Sequence, residues 1–366
     1  MSDLDDQRFL AVAIALGQRA AGRTWPNPSV GCVIVKDGII VGRGWTQPGG
    51  RPHAEVVALN TAGARARGAT AYVSLEPCAH FGKTPPCTQA LTEAGIARVV
   101  TSLIDPDPRV NGRGLEQLRA AGIAVDASYD SEAALALHAG YIARQTTGRP
   151  AFTLKLAQSL DGKIAARNGE SQWITGPLAR RYAHLLRARH DAILVGSGTA
   201  LADDPMLDCR IGGMESRSPI RIILDRRLRL PATSKLAQTA QKVPVWLITE
   251  QTDPAKSQAL ADLGVRILAY PQGGIADLAR LLGQEMLTTV MIEGGSTLAA
   301  AFMRAELIDR LHVVTAGKVI GGDGLPAIGE LSLDHVDRAS NWIEISRGRL
   351  GGDNLVIYRP QSANSN

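Results

Sequence analysis

Residues 52–55 read PHAE and residues 76–87 read EPCAHFGKTPPC, and these two stretches decide how the first part of the chain is interpreted. They supply one imidazole, His53, and two thiols, Cys78 and Cys87. Zinc takes imidazole nitrogen and thiolate sulfur in a tetrahedron, and catalytic zinc sites use three protein donors and leave the fourth position for water. The pattern therefore predicts a metal centre formed by His53, Cys78 and Cys87.

A carboxylate accompanies these donors, because Glu55 lies two residues after His53. On a regular helix two such side chains diverge by roughly 200°, so we expect the pair at the start of a helix. There Glu55 would take the proton of a zinc-activated water and pass it to leaving ammonia, the chemistry that removes an amino group from a pyrimidine-like ring. The alternatives are a structural zinc site, for which His80 is the near fourth ligand, or a buried histidine with inert thiols.

Length and composition bound the rest of the interpretation. A chain of 366 residues exceeds one typical core, so two domains are expected. Apolar residues form 45% of the chain and charged residues 20%, which is typical of a globular protein. The net charge of +5 is modest and the arginines are scattered, so the sequence does not indicate nucleic acid as a partner.

The termini and cysteines bear on the compartment. Residues 1–6 (MSDLDD) are acidic and are not followed by a signal-peptide pattern, and no apolar stretch reaches the roughly 18 residues of a membrane span. Cys32 and Cys209 are interpreted as reduced thiols. We therefore expect a cytoplasmic protein that has no membrane partner.

The pattern of apolar residues predicts two α/β halves. In the first half we expect helices at 5–21, 53–65, 87–94 and 114–121, and strands at 30–35, 39–41, 70–75 and 98–103, with a hairpin at Asp37 and Gly38. The polar segment 146–150 is expected to be a linker. Further strands are expected at 152–156, 192–195, 220–224, 243–248, 265–268 and 290–292, and residues 311–358 as strands returning to the sheet edge.

With these motifs in place, the first half resembles the cytidine-deaminase-like zinc enzymes. The string 76–87, together with PNP at 26–28 and DP at 105–106, resembles the deaminase half of the bifunctional riboflavin-biosynthesis deaminase/reductase family. The resemblance implies a three-layer α/β/α domain over residues 1–147, one Zn²⁺ per chain, and a diaminopyrimidinone substrate that carries a 5-phosphoribosylamino group.

The same resemblance suggests substrate contacts in the first half. Lys83 and His80 would meet the phosphate, and Asn27 would contact the pyrimidine edge through its amide. Alternatively, Lys83 is a solvated loop lysine and Asn27 is a turn residue between two prolines, and neither contacts the substrate. Asp107 stands where the family more often has asparagine, which puts a substrate contact at that position in doubt.

The second half has glycine-rich turns but no complete dinucleotide fingerprint. Residues 196–199 (GSGT) follow a predicted strand, yet position 201 is leucine, so a Rossmann domain is not supported. Residues 293–297 (EGGST) follow another strand and open a helix, where backbone N–H groups could approach a pyrophosphate. Alternatively, the glycines of these turns only allow tight connections between strand and helix and bind no nucleotide.

The segments 153–163, 169–175, 202–205 and 293–295 resemble the reductase half of the same family. The resemblance implies a dihydrofolate-reductase-like α/β domain over residues 150–360, which uses NADPH to convert the ribosyl chain into a ribityl chain. The residues that the resemblance assigns to the cofactor are Ala157, Trp173, Thr199, Asp203, Gly294 and Gly295. Those that it assigns to the substrate are Ser171, Arg187, Leu207, Arg210 and Glu293. Lys155 is the residue expected to assist the reduction.

Three further alternatives stay open besides those given above. Arg187 also fits a helix-surface arginine, and Lys155 fits a strand-end residue that packs its stem. The chain as a whole also fits a nucleic-acid-editing deaminase with an appended binding domain. Association into a homo-oligomer, a dimer or a tetramer, is expected from the resemblance and from the frequency of symmetric assembly among such enzymes.

Overall fold

The computed structural model describes residues 3–127, 129 and 131–361. The chain divides into two compact units, Met1–Gly148 and Arg149–Asn366. The predicted linker at 146–150 is wrong in its first two residues, because helix α5 continues to Thr147. The break comes at Gly148, whose left-handed φ of 71° ends the helix, and this is a conformation that glycine adopts without a steric penalty.

A five-stranded mixed sheet forms the centre of the first unit, in the order β2-β1-β3-β4-β5. Strand β1 is antiparallel to β2 and β3, whereas β3, β4 and β5 are parallel. Asp37 and Gly38, with φ of 50° and 74°, form the predicted hairpin turn between β1 and β2. The strands are β1 Gly31–Lys36, β2 Ile39–Trp45, β3 Thr70–Val73, β4 Arg98–Thr101 and β5 Ala124–Asp126.

Helices cover both faces of this sheet, as the sequence predicted. Successive residues of a strand point to opposite faces: Cys32 and Ile34 pack in a core with α2, α3, α4 and α5, and Val33 and Val35 pack against α1. Strand β5 and helix α5 were not predicted. The helices are α1 Asp3–Gly17, α2 Ala54–Ala62, α3 Cys87–Glu93, α4 Arg113–Ala120 and α5 Glu132–Thr147, with short 3₁₀ turns at Pro48–Gly50 and Gly63–Ala66.

The second unit contains a nine-stranded sheet in the order β11-β10-β9-β8-β12-β6-β13-β16-β15. Neighbours from β11 to β13 are parallel, and β16 and β15 close the far edge as antiparallel strands, as expected for the tail of the chain. The strands are β6 Ala151–Gln158, β7 Lys163–Ala165, β8 Ala192–Gly196, β9 Ile220–Leu224, β10 Val245–Thr249, β11 Val265–Ala269, β12 Thr289–Glu293, β13 Arg310–Thr315, β14 Leu325–Pro326, β15 Trp342–Leu350 and β16 Asp353–Pro360; β7 and β14 form a separate ribbon.

Helices connect the parallel strands of this second sheet. They are α6 Pro177–Arg189, α7 Ser197–Asp203, α8 Lys235–Gln238, α9 Pro254–Asp262, α10 Gly274–Gln284 and α11 Ser296–Arg304, with 3₁₀ turns at Glu215–Arg217 and Val336–Arg338. In such a sheet ligands bind outside the carboxyl ends of the strands. Strands β12 and β8 are neighbours and end at Glu293 and Gly196, so their following turns share one edge. In the part of the chain that the structure describes, no helix is long and apolar enough to cross a membrane.

Candidate functional site

The three predicted zinc donors lie together in the first unit. Nδ1 of His53 is 3.3 Å from Sγ of Cys87 and 3.6 Å from Sγ of Cys78, and all three donor atoms lie within 4.8 Å of one another. Donors bound tetrahedrally to zinc at ordinary bond lengths are separated by about 3.5 to 3.8 Å. The donor set and its spacing therefore fit zinc.

His80 is not a fourth member of this group among the residues that the structure describes. The described donor set thus consists of one nitrogen and two sulfurs, which corresponds to the open arrangement of catalytic zinc sites. The described residues therefore do not form the closed structural zinc site, which required His80 as a fourth ligand.

Backbone packing fixes the position of His53. His53 is the residue that precedes helix α2, in an extended conformation, and its side chain makes no capping hydrogen bond. Helix α2 lies directly against strand β2, because a Cβ added to Gly44 would come within 2.2 Å of the carbonyl oxygen of Ala54. Any larger residue at position 44 would push away the helix start that carries His53.

The two thiols come from either end of the loop 78–87. Cys87 is the first residue of α3, and its backbone N–H donates to Sγ of Cys78 at 3.3 Å. The Cys87 side chain, and to a smaller extent His53 and this N–H group, lower the pKa of Cys78 to about 4. Cys78 is therefore held as the thiolate that metal binding requires.

Glu55 is at the predicted position beside the donors. It lies in the first turn of α2, only 3% exposed, and interacts with His53, Cys78 and Cys87. Burial raises the pKa of its carboxyl group. A carboxylate of raised pKa next to a metal site is suited to accept and return a proton near neutral pH.

Sequence reasoning gave no role to Glu76, which organises the loop that follows β4. Its buried carboxylate accepts the backbone N–H groups of Asp105, Gly112, Gly114 and Leu115 at 2.9–3.4 Å. Because Glu76 lies two residues before Cys78, these bonds connect the ligand-bearing segment to residues 105–115, which form the loop after β4 and the start of α4. An acidic residue at the exit of a buried strand was the available signal.

The expected substrate contacts of the first unit lie in different environments. Asn27 is half-buried and donates through Nδ2 to the carbonyl of Gly50 at 3.0 Å. His80 is half-buried, and its Nδ1 is buried without a hydrogen-bond partner among the described residues, whereas Lys83 is exposed. Asp107 forms an ion pair with Arg109 at 2.5 Å, so its carboxylate is already compensated.

In the second unit, Lys155, Arg187 and Glu293 form an ionic cluster at the carboxyl end of the sheet. Oε1 of Glu293 lies 3.4 Å from Nζ of Lys155, and Oε2 lies 2.9 Å from Nε of Arg187. Burial alone would raise the pKa of Glu293, but the two cations outweigh it and lower this pKa to about 2. Arg187 is buried, so the helix-surface alternative for it is wrong.

Two further expected substrate residues, Leu207 and Arg210, lie close in sequence to Asp208, which Arg187 contacts. Nη1 of Arg187 donates to the carbonyl of Asp208 at 3.0 Å, and the same carbonyl lies 3.0 Å from Nδ1 of His184. Arg210 is exposed and pairs with Asp208 at 3.4 Å. The side chain of Leu207 is buried in the core, so a ligand would meet its backbone.

The residues expected at the cofactor fall into two groups. Thr199 packs on the Gly294–Gly295 turn, because a Cβ on Gly294 would lie 3.3 Å from its Oγ1. Trp173 is exposed and lines a cavity of about 440 Å³, with the Arg180 guanidinium 4.4 Å from its ring centroid. Of the other positions expected at the cofactor, Ala157 is half-buried in β6 and Asp203 is exposed at the end of α7. Ser171, which was expected at the substrate, is half-buried before α6.

Two family models match the chain. Residues 3–103 match the cytidine and deoxycytidylate deaminase zinc-binding region, and residues 150–348 match the RibD C-terminal domain. The first match covers the zinc donors and Glu55, and the second covers the ionic cluster.

Individual proteins are similar over nearly the whole chain. The riboflavin biosynthesis protein RibD of Aquifex aeolicus is 40% identical over 97% of this chain and 98% of the relative, and that of Escherichia coli is 44% identical over 90% and 94%. The solved structure of Acinetobacter baumannii RibD, form 1, is 38% identical with a TM-score of 0.89, and covers 98% of this chain and 99% of its own.

The protein in a second solved structure is named for both a deaminase and a reductase activity. The diaminohydroxyphosphoribosylaminopyrimidine deaminase/5-amino-6-(5-phosphoribosylamino)uracil reductase of Thermotoga maritima is 35% identical, with a TM-score of 0.86 over 98% of this chain and 99% of its own. The second half is therefore a reductase domain and not an appended nucleic-acid-binding domain. The chain belongs to the RibD family of riboflavin-biosynthesis proteins, bifunctional enzymes that join a zinc-dependent deaminase domain to a reductase domain.

Proposed function

We propose that this chain performs two consecutive steps on one phosphorylated pyrimidine. Residues 1–147 would deaminate 2,5-diamino-6-(5-phosphoribosylamino)pyrimidin-4-one hydrolytically, and residues 150–360 would reduce the ribosyl chain of the product to ribityl with NADPH. The observation that carries the deaminase assignment is the convergence of His53, Cys78 and Cys87 within 4.8 Å beside the buried Glu55.

In the first site, His53, Cys78 and Cys87 would hold the ion. Bound zinc supplies a water whose pKa is lowered to near neutrality. Glu55 would accept a proton from that water and donate it to the departing amino group, which leaves as ammonia. Its buried position favours this role because burial raises the carboxyl pKa.

The substrate contacts of the first site are proposed on chemical grounds. Asn27 uses Nδ2 on Gly50, so its Oδ1 is the atom offered to an amino group of the pyrimidine. Lys83, exposed on the loop between the two thiol ligands, and His80, with its unpartnered Nδ1, would meet the phosphate.

In the second site, the ionic cluster would orient the open-chain form of the substrate. Bound NADPH supplies the hydride. Lys155 would stabilise the charge that develops as the hydride adds to the imine carbon and a proton adds to the nitrogen, and Glu293 would fix Lys155 and Arg187 in place. Arg187 and Arg210 would contact the phosphate, with Ser171 and the backbone of Leu207 lining the site.

Cofactor binding would use the turns at the ends of β8 and β12. Thr199 and the Gly294–Gly295 turn would hold the pyrophosphate side, and Asp203 would line the cofactor elsewhere. Ala157 and Trp173 would lie against the rest of the cofactor, since Ala157 follows Lys155 on the same face of β6 and Trp173 lines an open cavity.

The oligomeric state and the cellular location of the protein belong to the same proposal. A homo-oligomer, a dimer or a tetramer, is supported by β15, a nine-residue strand that ends the sheet with exposed Ile345. A cytoplasmic location is supported by the free state of Cys32 and Cys209 and by a metal site that needs reduced thiols.

A coupled assay tests the function. The zinc-loaded protein is supplied with the phosphoribosylated diaminopyrimidinone and NADPH, and ammonia release is followed together with NADPH absorbance. We expect one ammonia and one NADPH oxidised per substrate, with ammonia released first. Ammonia release that never leads to NADPH oxidation, or NADPH oxidation without ammonia, would contradict the two-step sequence.

A further inference from the structure

The loop that follows β9 carries an arginine cluster at the carboxyl edge of the nine-stranded sheet. Residues 225–229 read DRRLR, and the fully buried carboxylate of Asp225 anchors this loop through hydrogen bonds to its backbone. Its Oδ2 accepts the N–H groups of Arg229 and Leu230. The three arginines of the loop thus project from a rigid turn.

Arg226 contacts the ends of the next two strands. Its Nε lies 2.7 Å from Oε1 of Glu250, directly after β10, and its guanidinium carbon lies 5.3 Å from the ring centroid of Tyr270, directly after β11. Glu250 and Tyr270 also line a cavity of about 470 Å³. The Arg226 guanidinium therefore borders an open space at the strand ends.

On its other side the same loop reaches the proposed cofactor turns. Nη2 of Arg229 lies 2.5 Å from Oγ of Ser197, which follows the end of β8. Thr199, two residues further on, packs against the Gly294–Gly295 turn after β12. Since neighbouring strands lie about 4.8 Å apart, the turns after β12, β8, β9 and β10 form one continuous edge on which a dinucleotide could extend.

We propose that Arg226, with the exposed Arg227 beside it, binds the 2′-phosphate of the adenosine half of NADPH, and that the cavity beside Glu250 and Tyr270 receives the adenine. This inference rests on the proposed reductase function and names the residue that selects NADPH over NADH. A guanidinium offers paired donors to a phosphate dianion, and dinucleotide sites use arginine in this way.

Glu250 contributes to the selectivity in the opposite sense. In the free protein its carboxylate neutralises Arg226. A 2′-phosphate carries enough charge to replace that carboxylate, whereas the neutral 2′-hydroxyl of NADH does not. The pair thus disfavours the wrong cofactor while remaining available to the right one.

The chain provides a matched control at the other end of the strands. Arg266, the second residue of β11, pairs with Glu285 and lies 4.9 Å from the ring centroid of Trp246. It reproduces the carboxylate and aromatic partners of Arg226, away from the carboxyl edge. Loss of Arg266 should therefore perturb the sheet as much as loss of Arg226, without an effect on the cofactor.

The test compares three variants of the full chain, Arg226→Gln, Arg266→Gln and Glu250→Gln. Titration calorimetry measures the binding of 2′,5′-ADP, which carries the 2′-phosphate, and of ADP, which lacks it. Steady-state kinetics gives the KM for NADPH and for NADH. We expect Arg226→Gln to weaken 2′,5′-ADP about tenfold and to raise the KM for NADPH similarly, with ADP binding, the KM for NADH and kcat unchanged. Glu250→Gln should tighten 2′,5′-ADP, and Arg266→Gln should change neither ligand.

Two results would overturn the inference, and they differ from failure of the reductase assignment. Unchanged 2′,5′-ADP binding in Arg226→Gln places the 2′-phosphate elsewhere, and equal weakening of ADP and 2′,5′-ADP reduces Arg226 to a structural role. If the wild-type chain binds neither nucleotide and oxidises no NADPH with deaminated substrate, the reductase function itself fails, and this assignment fails with it.

Discussion

The zinc centre of the first unit and the ionic cluster of the second unit assemble their functional groups by different means. The zinc donors come from two short motifs, and Cys78 and Cys87 are only nine residues apart. Lys155 and Glu293 are 138 residues apart and meet because β6 and β12 are neighbouring parallel strands. The first site depends on local loop geometry, and the second depends on the order of strands in the sheet.

The electrostatics of the two sites differ as well. Glu55 is buried with a raised pKa, which suits a group that exchanges a proton. Glu293 is held ionised by two cations, which suits a group that orients its neighbours and does not titrate near neutral pH. A buried carboxylate thus acquires its role from the charges around it. Because the two sites use separate residues, a substitution can alter one site at a time.

The largest effect is expected for Glu55→Gln. Loss of the proton carrier should reduce ammonia release about 10³-fold, while zinc content and NADPH oxidation with deaminated substrate stay unchanged. Ammonia release and metal content are measured on the same preparation, with Glu93→Gln on the exposed face of α3 as control. A Glu55→Gln variant that deaminates at the wild-type rate would refute the role of Glu55.

Lys155→Met should affect the other site. Removing the cation should lower kcat for NADPH oxidation about 100-fold, because a charge-stabilising group at the reacting centre is lost. Ammonia release should be unchanged. The exposed Lys242 serves as control through Lys242→Met. An unchanged kcat in Lys155→Met would leave Lys155 as a packing residue of the strand end, the alternative reading of its position.

A smaller effect is expected for Arg187→Lys. Arginine bonds Glu293 and the Asp208 carbonyl at once through separate nitrogens, and lysine has no such fork. The KM for the phosphorylated substrate should rise about tenfold, with a smaller change in kcat. Arg181→Lys, at an exposed position of the same helix, is the control. Equal KM values in both variants would show that Arg187 does not contact the phosphate.

The smallest effect concerns the pH dependence of stability. The pKa of Glu293 is lowered from its ordinary 4.5 to about 2, so its contribution is fully present above pH 4.5 and is lost as the pH falls toward 2. The difference in the free energy of unfolding between wild type and Glu293→Gln should therefore be constant above pH 4.5 and shrink below it. A difference that is constant through this range would mean that Glu293 is not ion-paired.

Local patterns predicted much of the fold. The β1–β2 hairpin and the strand positions of the second unit follow from turn residues and apolar runs, and the zinc donor set follows from the residue types and their order along the chain. Helix α5 was missed, and the segment at its end was taken for a linker, because Thr146 and Thr147 read as loop residues. Their hydroxyls instead bond backbone carbonyls one turn earlier, at Ile142 and Ala143.

What the sequence could not provide was the pairing of distant groups. Arg187 and Glu293 were expected in the second site through resemblance, and Lys155 through the need for a cation at the reacting centre. Nothing in their separate positions shows that the three form one ionic cluster. The role of Glu76 depends on the approach of residues 105–115, a product of tertiary folding that no spacing rule contains. The ion pair of Asp107 with Arg109, two residues further on, is by contrast a local contact.

The zinc centre is tested most directly by a crystal structure of the zinc-loaded protein with anomalous data at the zinc edge. We predict one zinc bound by His53 Nδ1, Cys78 Sγ and Cys87 Sγ, with a solvent molecule in the fourth position within hydrogen-bond distance of Glu55. A fourth protein ligand such as His80, or a zinc bound elsewhere in the chain, would contradict it.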